Sequence, residues 1–265
     1  MREITKDTAS QILKEQFIPD NVFLYVARGA INFFDGNKTY TFKTGECFIA
    51  RKNRLAKFTL ADSKDGFEPI LFCFDEPFLQ QFQQKHKIKA PAPSRSSATF
   101  IKITQTAWID DFIRSLKPYY KGVMQLDAAF EDLKYEELLI ILLKNQPSLA
   151  GIFFDYTIPQ KINLEAFMNR NYKFNASIQR FAYLTGRSLS AFKRDFATIF
   201  NDTPNHWLIQ KRLEEASLLI NKKKKPSDIY IDLGFETLSH FSFAFKKQFG
   251  LSPTDFANRK LKRSR

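Results

Sequence analysis

The segment SLSAFKRDFATIFNDTP, residues 188–204, returns as TLSHFSFAFKKQFGLSP, residues 237–253. Leu189, Ser190, Phe192, Phe196, Phe200 and Pro204 meet Leu238, Ser239, Phe241, Phe245, Phe249 and Pro253 at a constant offset of 49 residues (237 − 188 and 253 − 204). Phenylalanine at every fourth position lies along one side of an α-helix, so each copy has the same aromatic stripe to bury. Each copy also follows an apolar stretch that ends in glycine, IQRFAYLTG at Gly186 and IYIDLG at Gly234. A tight turn between two short helices favours glycine, which takes left-handed backbone angles at no steric cost. The chain therefore reads helix, turn, helix twice over, and two helix-turn-helix units are expected.

The starts of these helices are marked. Asn175, Ser188, Thr203, Ser227, Thr237 and Ser252 stand where a side-chain oxygen can accept from the free amides of a first turn. Pro204 and Pro253 fall at the first helical position, where a missing N–H costs nothing. In the first repeated helix Leu189, Phe192, Phe196 and Ile199 form the expected apolar stripe, with Ser190, Lys193, Arg194 and Ala197 opposite. In the second, Leu238, Phe241, Phe245 and Phe249 are expected inside, and Ser239, Ser242, Phe243 and Lys246 outside. A helix that enters the major groove needs short residues where its backbone approaches DNA, and an arginine or lysine able to pair with guanine O6 and N7. The first outward face meets that need; the second is less polar.

Charge points the same way. The net charge is +13, and residues 155–265 hold 20 Lys and Arg against 10 Asp and Glu, whereas residues 1–154 hold 21 against 18. A positive excess concentrated in one segment implies a polyanionic partner, nucleic acid or an acidic membrane surface. NKKKKPS, residues 221–227, precedes the second unit and suits phosphate contact, which adds affinity without sequence information. Arg212, in the helix joining the units, is expected either at phosphate or capping the packing between the two heads. The tail RKLKRSR is expected to be disordered.

The preceding half has a different texture. NVFLYVA, INFF, TYTF, CFIA, KFTLA and ILFCF, between residues 21 and 74, are short apolar runs separated by turn residues, and read as an antiparallel sandwich or small barrel. From about residue 104 the period becomes helical, and LDAAFEDLKYEELLIILLKN sets Phe130, Leu133, Leu138 and Leu142 on one side. PAPS at 91–94 and QPSLAG at 146–151 punctuate the chain. The expected architecture is α+β in two domains, residues 1–150 and 158–260. Cys47 and Cys73, the only cysteines, lie in apolar runs and read as core thiols. The N-terminal residues lack the apolar core of a signal peptide, and no run of eighteen apolar residues occurs, so a cytoplasmic protein without a membrane span is expected.

Residues from about 160 to 257 resemble the two-headed DNA-binding domain of AraC/XylS-type transcription regulators. SDIYIDLGFETLSHFSFAFKKQFGLSPTDF carries the Gly-Phe turn, the Ser-x-Phe helix start, Phe-Lys-Lys and Gly-x-Ser-Pro of that family, while RSLSAFKRDF and WLIQKRLEEASLLI are similar to its first recognition helix and its connecting helix. The resemblance implies seven helices, base reading by Ser190, Lys193 and Arg194 from the first unit, and by Leu238, Ser239, His240 and Phe243 from the second. Phosphate contacts are expected from Arg212, Lys223, Lys224, Lys225 and Lys246. Phe243 stands where the family often has a polar or basic residue, which shifts the second helix towards thymine methyls and DNA shape or, alternatively, towards packing.

The β-rich segment resembles, less specifically, the cupin-like sensor barrel of the same family, and the helix from Leu126 to Leu143 its dimerisation segment. Phe23, Tyr25, Phe33 and Tyr40 are expected in the core or lining a pocket; Arg51, Lys52, Arg54 and Lys57 suit an anionic ligand or a solvated loop. Of the three histidines, His86, His206 and His240, none lies in the strand region, so a metal-dependent cupin enzyme lacks its ligands. No nucleophile elbow, phosphate-binding loop or dinucleotide fingerprint occurs. The expectation is a sequence-specific regulator, an activator rather than a repressor, that is not an enzyme and needs no cofactor. It would bind double-stranded DNA, act with RNA polymerase in the nucleoid, form a homodimer and answer to a small-molecule or protein effector; a cupin-type metal enzyme and a nonspecific architectural DNA binder are the rivals.

Overall fold

A computed structural model describes residues 16–60, 66–89, 92, 98–119 and 128–263. The expected punctuation at 91–94, apart from Ala92, the two residues before 128 and the end of the tail lie outside them. The chain divides into two compact units, Met1–Ile158 and Pro159–Arg265.

In the first unit all six apolar runs form strands: β2 (Asn21–Arg28), β3 (Ala30–Phe34), β4 (Thr39–Lys43), β5 (Cys47–Ala50), β7 (Lys57–Leu60) and β8 (Glu68–Phe74). Three shorter strands join them, β1 (Phe17–Ile18), β6 (Arg54–Leu55) and β9 (Phe100–Lys102). All pairings are antiparallel, in a four-stranded sheet β8-β2-β5-β9, a three-stranded sheet β4-β3-β7 and the pair β1-β6. This is a sandwich; among the described residues no ladder closes the sheets into the expected barrel.

Why β2, β5 and β8 read as nearly continuous apolar runs is now clear: their sheet is covered on both faces. Val22, Leu24, Val26, Phe48, Ala50 and Cys73 point to the three-stranded sheet, where they meet Ile31, Phe33 and Phe42. Phe23, Cys47, Ile49, Ile70, Phe72 and Phe74 point to the helices α1 (Glu76–Lys85), α2 (Ala107–Ser115), α3 (Ala128–Asn145) and α4 (Ala150–Phe153). Between the sheets lies a cavity of about 310 Å³ with an apolar lining that includes Phe33 and Phe58. Both cysteines are buried and neither forms a disulfide, and burial pushes the Cys47 thiol up to about 12. Arg51 and Lys57 are buried rather than solvated, and burial lowers the pKa of Arg51 and Arg54.

Along α3 the buried side is Tyr135, Leu138, Leu139 and Leu142, all at most 2% exposed. Phe130 and Leu133, expected on that side, are 48% and 61% exposed. Leu133 borders an open groove between α2 and α3, with Trp108, Ile140 and Ile141 also along it, while the Phe130 ring lies against Tyr119. Among the described residues no helix is long and apolar enough to cross a membrane.

The second unit contains seven helices among its described residues: α5 (Leu164–Asn171), α6 (Ile178–Leu184), α7 (Leu189–Phe200), α8 (Pro204–Asn221), α9 (Pro226–Ile229), α10 (Leu238–Phe249) and α11 (Pro253–Arg263). Helix α11 runs into the tail expected to be disordered. Ser188, Thr203, Thr237 and Ser252 cap helices as expected, accepting from the amides of Ala191, His206, His240 and Asp255. Asn175 and Ser227 do not. Ser177 caps α6 instead, and α9 starts after Lys225 with no side-chain cap.

Candidate nucleic-acid interface

The sequence repeat is a structural repeat. Helices α7 and α10 are both twelve residues long, begin at a hydroxyl cap and end on a left-handed residue, Asn201 with φ 50° and Gly250 with φ 75°. Phe192 and Phe196 are fully buried, as are Phe241 and Phe245, with ring centroids 5.7 Å apart in each pair. The correspondence continues into the following helix. Trp207 lies 4.7 Å from Phe200, and Phe256, forty-nine residues on, lies 5.8 Å from Phe249.

Two glycines shape the turns. Gly186 has φ 67°, and a Cβ there would stand 2.3 Å from the backbone carbon of Gln160; Gly234 has φ 84°, with the Lys173 carbonyl oxygen 2.8 Å from such an atom. Both sites therefore exclude a side chain on conformation and on space. The second turn is one residue longer, with Phe235 and Glu236 between Gly234 and its cap where the first unit has Arg187 alone.

With the aromatic stripe turned inward, the opposite faces meet solvent. Ser190, Lys193, Arg194 and Ala197 are exposed on α7, and Leu238, Ser239, His240, Phe243 and Lys246 on α10; Ser242 is half-buried. The buried stripes are shorter than expected, because Leu189, Ile199 and Leu238 are 39%, 45% and 41% exposed near the helix ends. Lys223, Lys224 and Lys225 are exposed in the loop between α8 and α9.

Arg212 corrects its expected place at phosphate. It is buried, and each of its three guanidinium nitrogens donates to a carbonyl: Nε to Tyr172 at 2.7 Å, Nη2 to Phe174 at 2.8 Å and Nη1 to Gly234 at 2.9 Å. Tyr172 and Phe174 precede α6 in the first helix-turn-helix, and Gly234 is the turn of the second. Arg212 thus ties the two heads together, the packing alternative of its two expected roles. Burial lowers its pKa to about 10, so it remains charged at neutral pH.

Arg187 was not singled out by the sequence. It follows the turn glycine, and its side chain is 7% exposed. Its Nε donates to Asp195 Oδ2 at 3.1 Å and its Nη1 to the Ile162 and Thr185 carbonyls, holding the turn against α7. That bond is the main reason the Asp195 carboxyl titrates below its ordinary value, with Lys161 and Arg194 helping. Lys247, exposed beside Lys246, is a second basic residue that the sequence reading did not single out.

Comparison with known proteins agrees with this architecture. The ExsA N-terminal regulatory domain family matches residues 21–152, and a helix-turn-helix domain family matches residues 181–259. The virulence regulon transcriptional activator VirF of Yersinia enterocolitica is 30% identical over 239 residues, covering 87% of each chain. The HTH-type transcriptional regulator ExsA of Pseudomonas aeruginosa is 24% identical over 234 residues, covering 85% of this chain and 82% of its own. A crystal structure of an apo ToxT variant from Vibrio cholerae aligns over 92% of this chain and 91% of its own at 14% identity, with a TM-score of 0.43. With a regulatory-domain match ahead of a helix-turn-helix match, and a relative aligned along most of both chains, the chain belongs to the AraC/XylS-type family of transcription regulators.

Proposed function

We propose that this regulator recognises its sites with α7 and α10 in successive major grooves on one face of DNA, one helical turn or about 10 bp apart. The observation that supports this most is the pairing of two equivalent helices whose outward faces are free and whose mutual position is held by Arg212. In this reading Ser190, Lys193 and Arg194 meet base edges in one block, and Leu238, Ser239, His240 and Phe243 in the other. Lys223, Lys224, Lys225 and Lys246 neutralise phosphates, joined by Lys247.

The N-terminal unit, residues 1–150 in this reading, controls a DNA-binding unit of residues 158–260. Activation is favoured over repression because VirF is named a transcriptional activator. An activator brings RNA polymerase to a promoter and works at the nucleoid in the cytoplasm; no catalytic step is assigned to it. The open groove of α2 and α3, with Trp108 54% and Leu133 61% exposed, favours this face for a homodimer.

Genomic fragments retained by the purified protein at moderate salt, with excess competitor DNA, test the reading. Fragments sharing two short blocks about one turn apart are expected. Fragments with nothing in common, lost steeply as salt rises, would instead mark a nonspecific binder.

A further inference from the structure

The two outward faces differ most at one position. The offset that matches caps, stripes and helix ends sets Phe243 where the first unit has Arg194. Both side chains stand in solvent. Arg194 is 77% exposed, and Phe243, at 72%, is the most exposed large apolar residue described in the C-terminal unit. The ring does little for the fold, since Phe241 and Phe245 on the opposite side already fill the core around Leu213, Ala216 and Ile229. Ser239 lies one turn before it, and Lys246 and Lys247 one turn after, all exposed. The face therefore begins small, turns apolar at its centre and ends basic.

Resting on the reading that both helices enter major grooves, we propose that Phe243 is a specificity-determining residue that contacts the 5-methyl group of a thymine. The block under α10 then bears thymine at the step where the block under α7 bears guanine. In the major groove the base edges offer nitrogen and oxygen donors and acceptors, and one apolar group, the thymine methyl. A phenyl ring laid on guanine or cytosine buries polar atoms that it cannot pair, so it selects for thymine and against those bases together. Lys246 and Lys247 supply the phosphate attraction that holds the helix in register while the ring itself forms no hydrogen bond. Their positive charge beside the ring also makes a polyanion the complementary occupant of this face.

The test uses the full-length protein and a site recovered by its own binding. Each thymine of the second block is replaced in turn by deoxyuridine, which lacks only the methyl, and affinity is measured at fixed salt. One replacement should weaken the wild-type protein about fourfold, the transfer value of a single buried methyl. Phe243→Ala should bind the thymine and uracil versions of that site equally. Phe243→Arg, which installs the residue of the first unit, should move the selected base at that step from thymine to guanine. Wild-type affinity indifferent to every uracil, or undiminished uracil sensitivity in Phe243→Ala, overturns the proposal. So does a Phe243→Ala protein that keeps affinity and sequence preference yet loses transcription in a reconstituted assay, because the ring would then be touching another protein. If no specific site is recovered at all, the paired major-groove reading fails first, and this inference falls with it.

Discussion

Replacing Arg212 with alanine should unfold the C-terminal unit far more readily while leaving phosphate contacts intact. The guanidinium supplies all the hydrogen bonds seen to the Tyr172 and Gly234 carbonyls, and one to Phe174, from a buried position. Truncation leaves carbonyls of both heads without a donor and opens a void beside the Phe235 ring, 6.0 Å from the guanidinium carbon. Leaving buried partners of a charged group unsatisfied costs about 3–5 kcal/mol, or ~12–20 °C in Tm for a unit of this size. The two tryptophans give the assay, since Trp207 packs in the second unit against Phe196 and Phe200 while Trp108 is half-exposed in the first. In a Trp108→Phe background, Trp207 fluorescence during urea unfolding reports the helical unit alone. Arg212→Lys should recover little, because an ammonium cannot span three carbonyls as the fork does. The reasoning fails if Arg212→Ala costs under about 1 kcal/mol, or if its effect is a DNA affinity loss with a salt slope reduced by about one at unchanged stability.

Further outcomes follow from the same geometry. Arg194→Ala should cost about 1–3 kcal/mol in binding and relax preference at one base, whereas Lys224→Ala should weaken all sequences alike and lower the salt slope by about one, both read from titrations on specific and scrambled DNA. Gly186→Ala should lose more than about 2 kcal/mol in urea unfolding, since the new Cβ meets backbone at Gln160 in a left-handed turn. Gly250→Asn should cost under about 1 kcal/mol, because nothing crowds that position and Asn201 already fills the equivalent cap at φ 50°. Cys47 has a pKa raised by burial to about 12, so the fold favours its protonated form. Its contribution is complete below the ordinary thiol value of about 8.5 and is lost as pH rises from there towards 12. Thiol labelling at pH 8 should accordingly follow the unfolding rate rather than the thiolate fraction; rapid labelling of the folded protein would contradict this.

Local signals carried most of what the sequence revealed. The duplicated phenylalanines exposed the two equivalent helices and, by elimination, the faces turned outward, since a stripe of fixed period allows one inward orientation. Four hydroxyl caps were legible for the same reason. Asn175 and Ser227 were not, because several polar residues near each start compete to cap it and local packing selects among them. The strands β1, β6 and β9 span two or three residues and carry no period to detect; β9 exists through its pairing with β5, about fifty residues earlier. Barrel and sandwich could not be told apart, because closure depends on ladders between sheets and each strand alternates alike in both. Arg212 shows the limit most clearly. Its burial is decided by carbonyls at 172, 174 and 234, some forty and twenty residues away, and a basic residue on a helix carries no mark of that.

The central claim is that one protomer reads two successive major grooves with two equivalent helices held by Arg212. A hydroxyl-radical footprint of the full-length protein on a recovered site, combined with methylation interference at guanines, tests it most directly. The account predicts two protected blocks about 10 bp apart on one face of the duplex for each bound protomer, with guanine interference in the block assigned to α7 disappearing in Arg194→Ala. A single short protected block per protomer, or interference unchanged in Arg194→Ala, would contradict it.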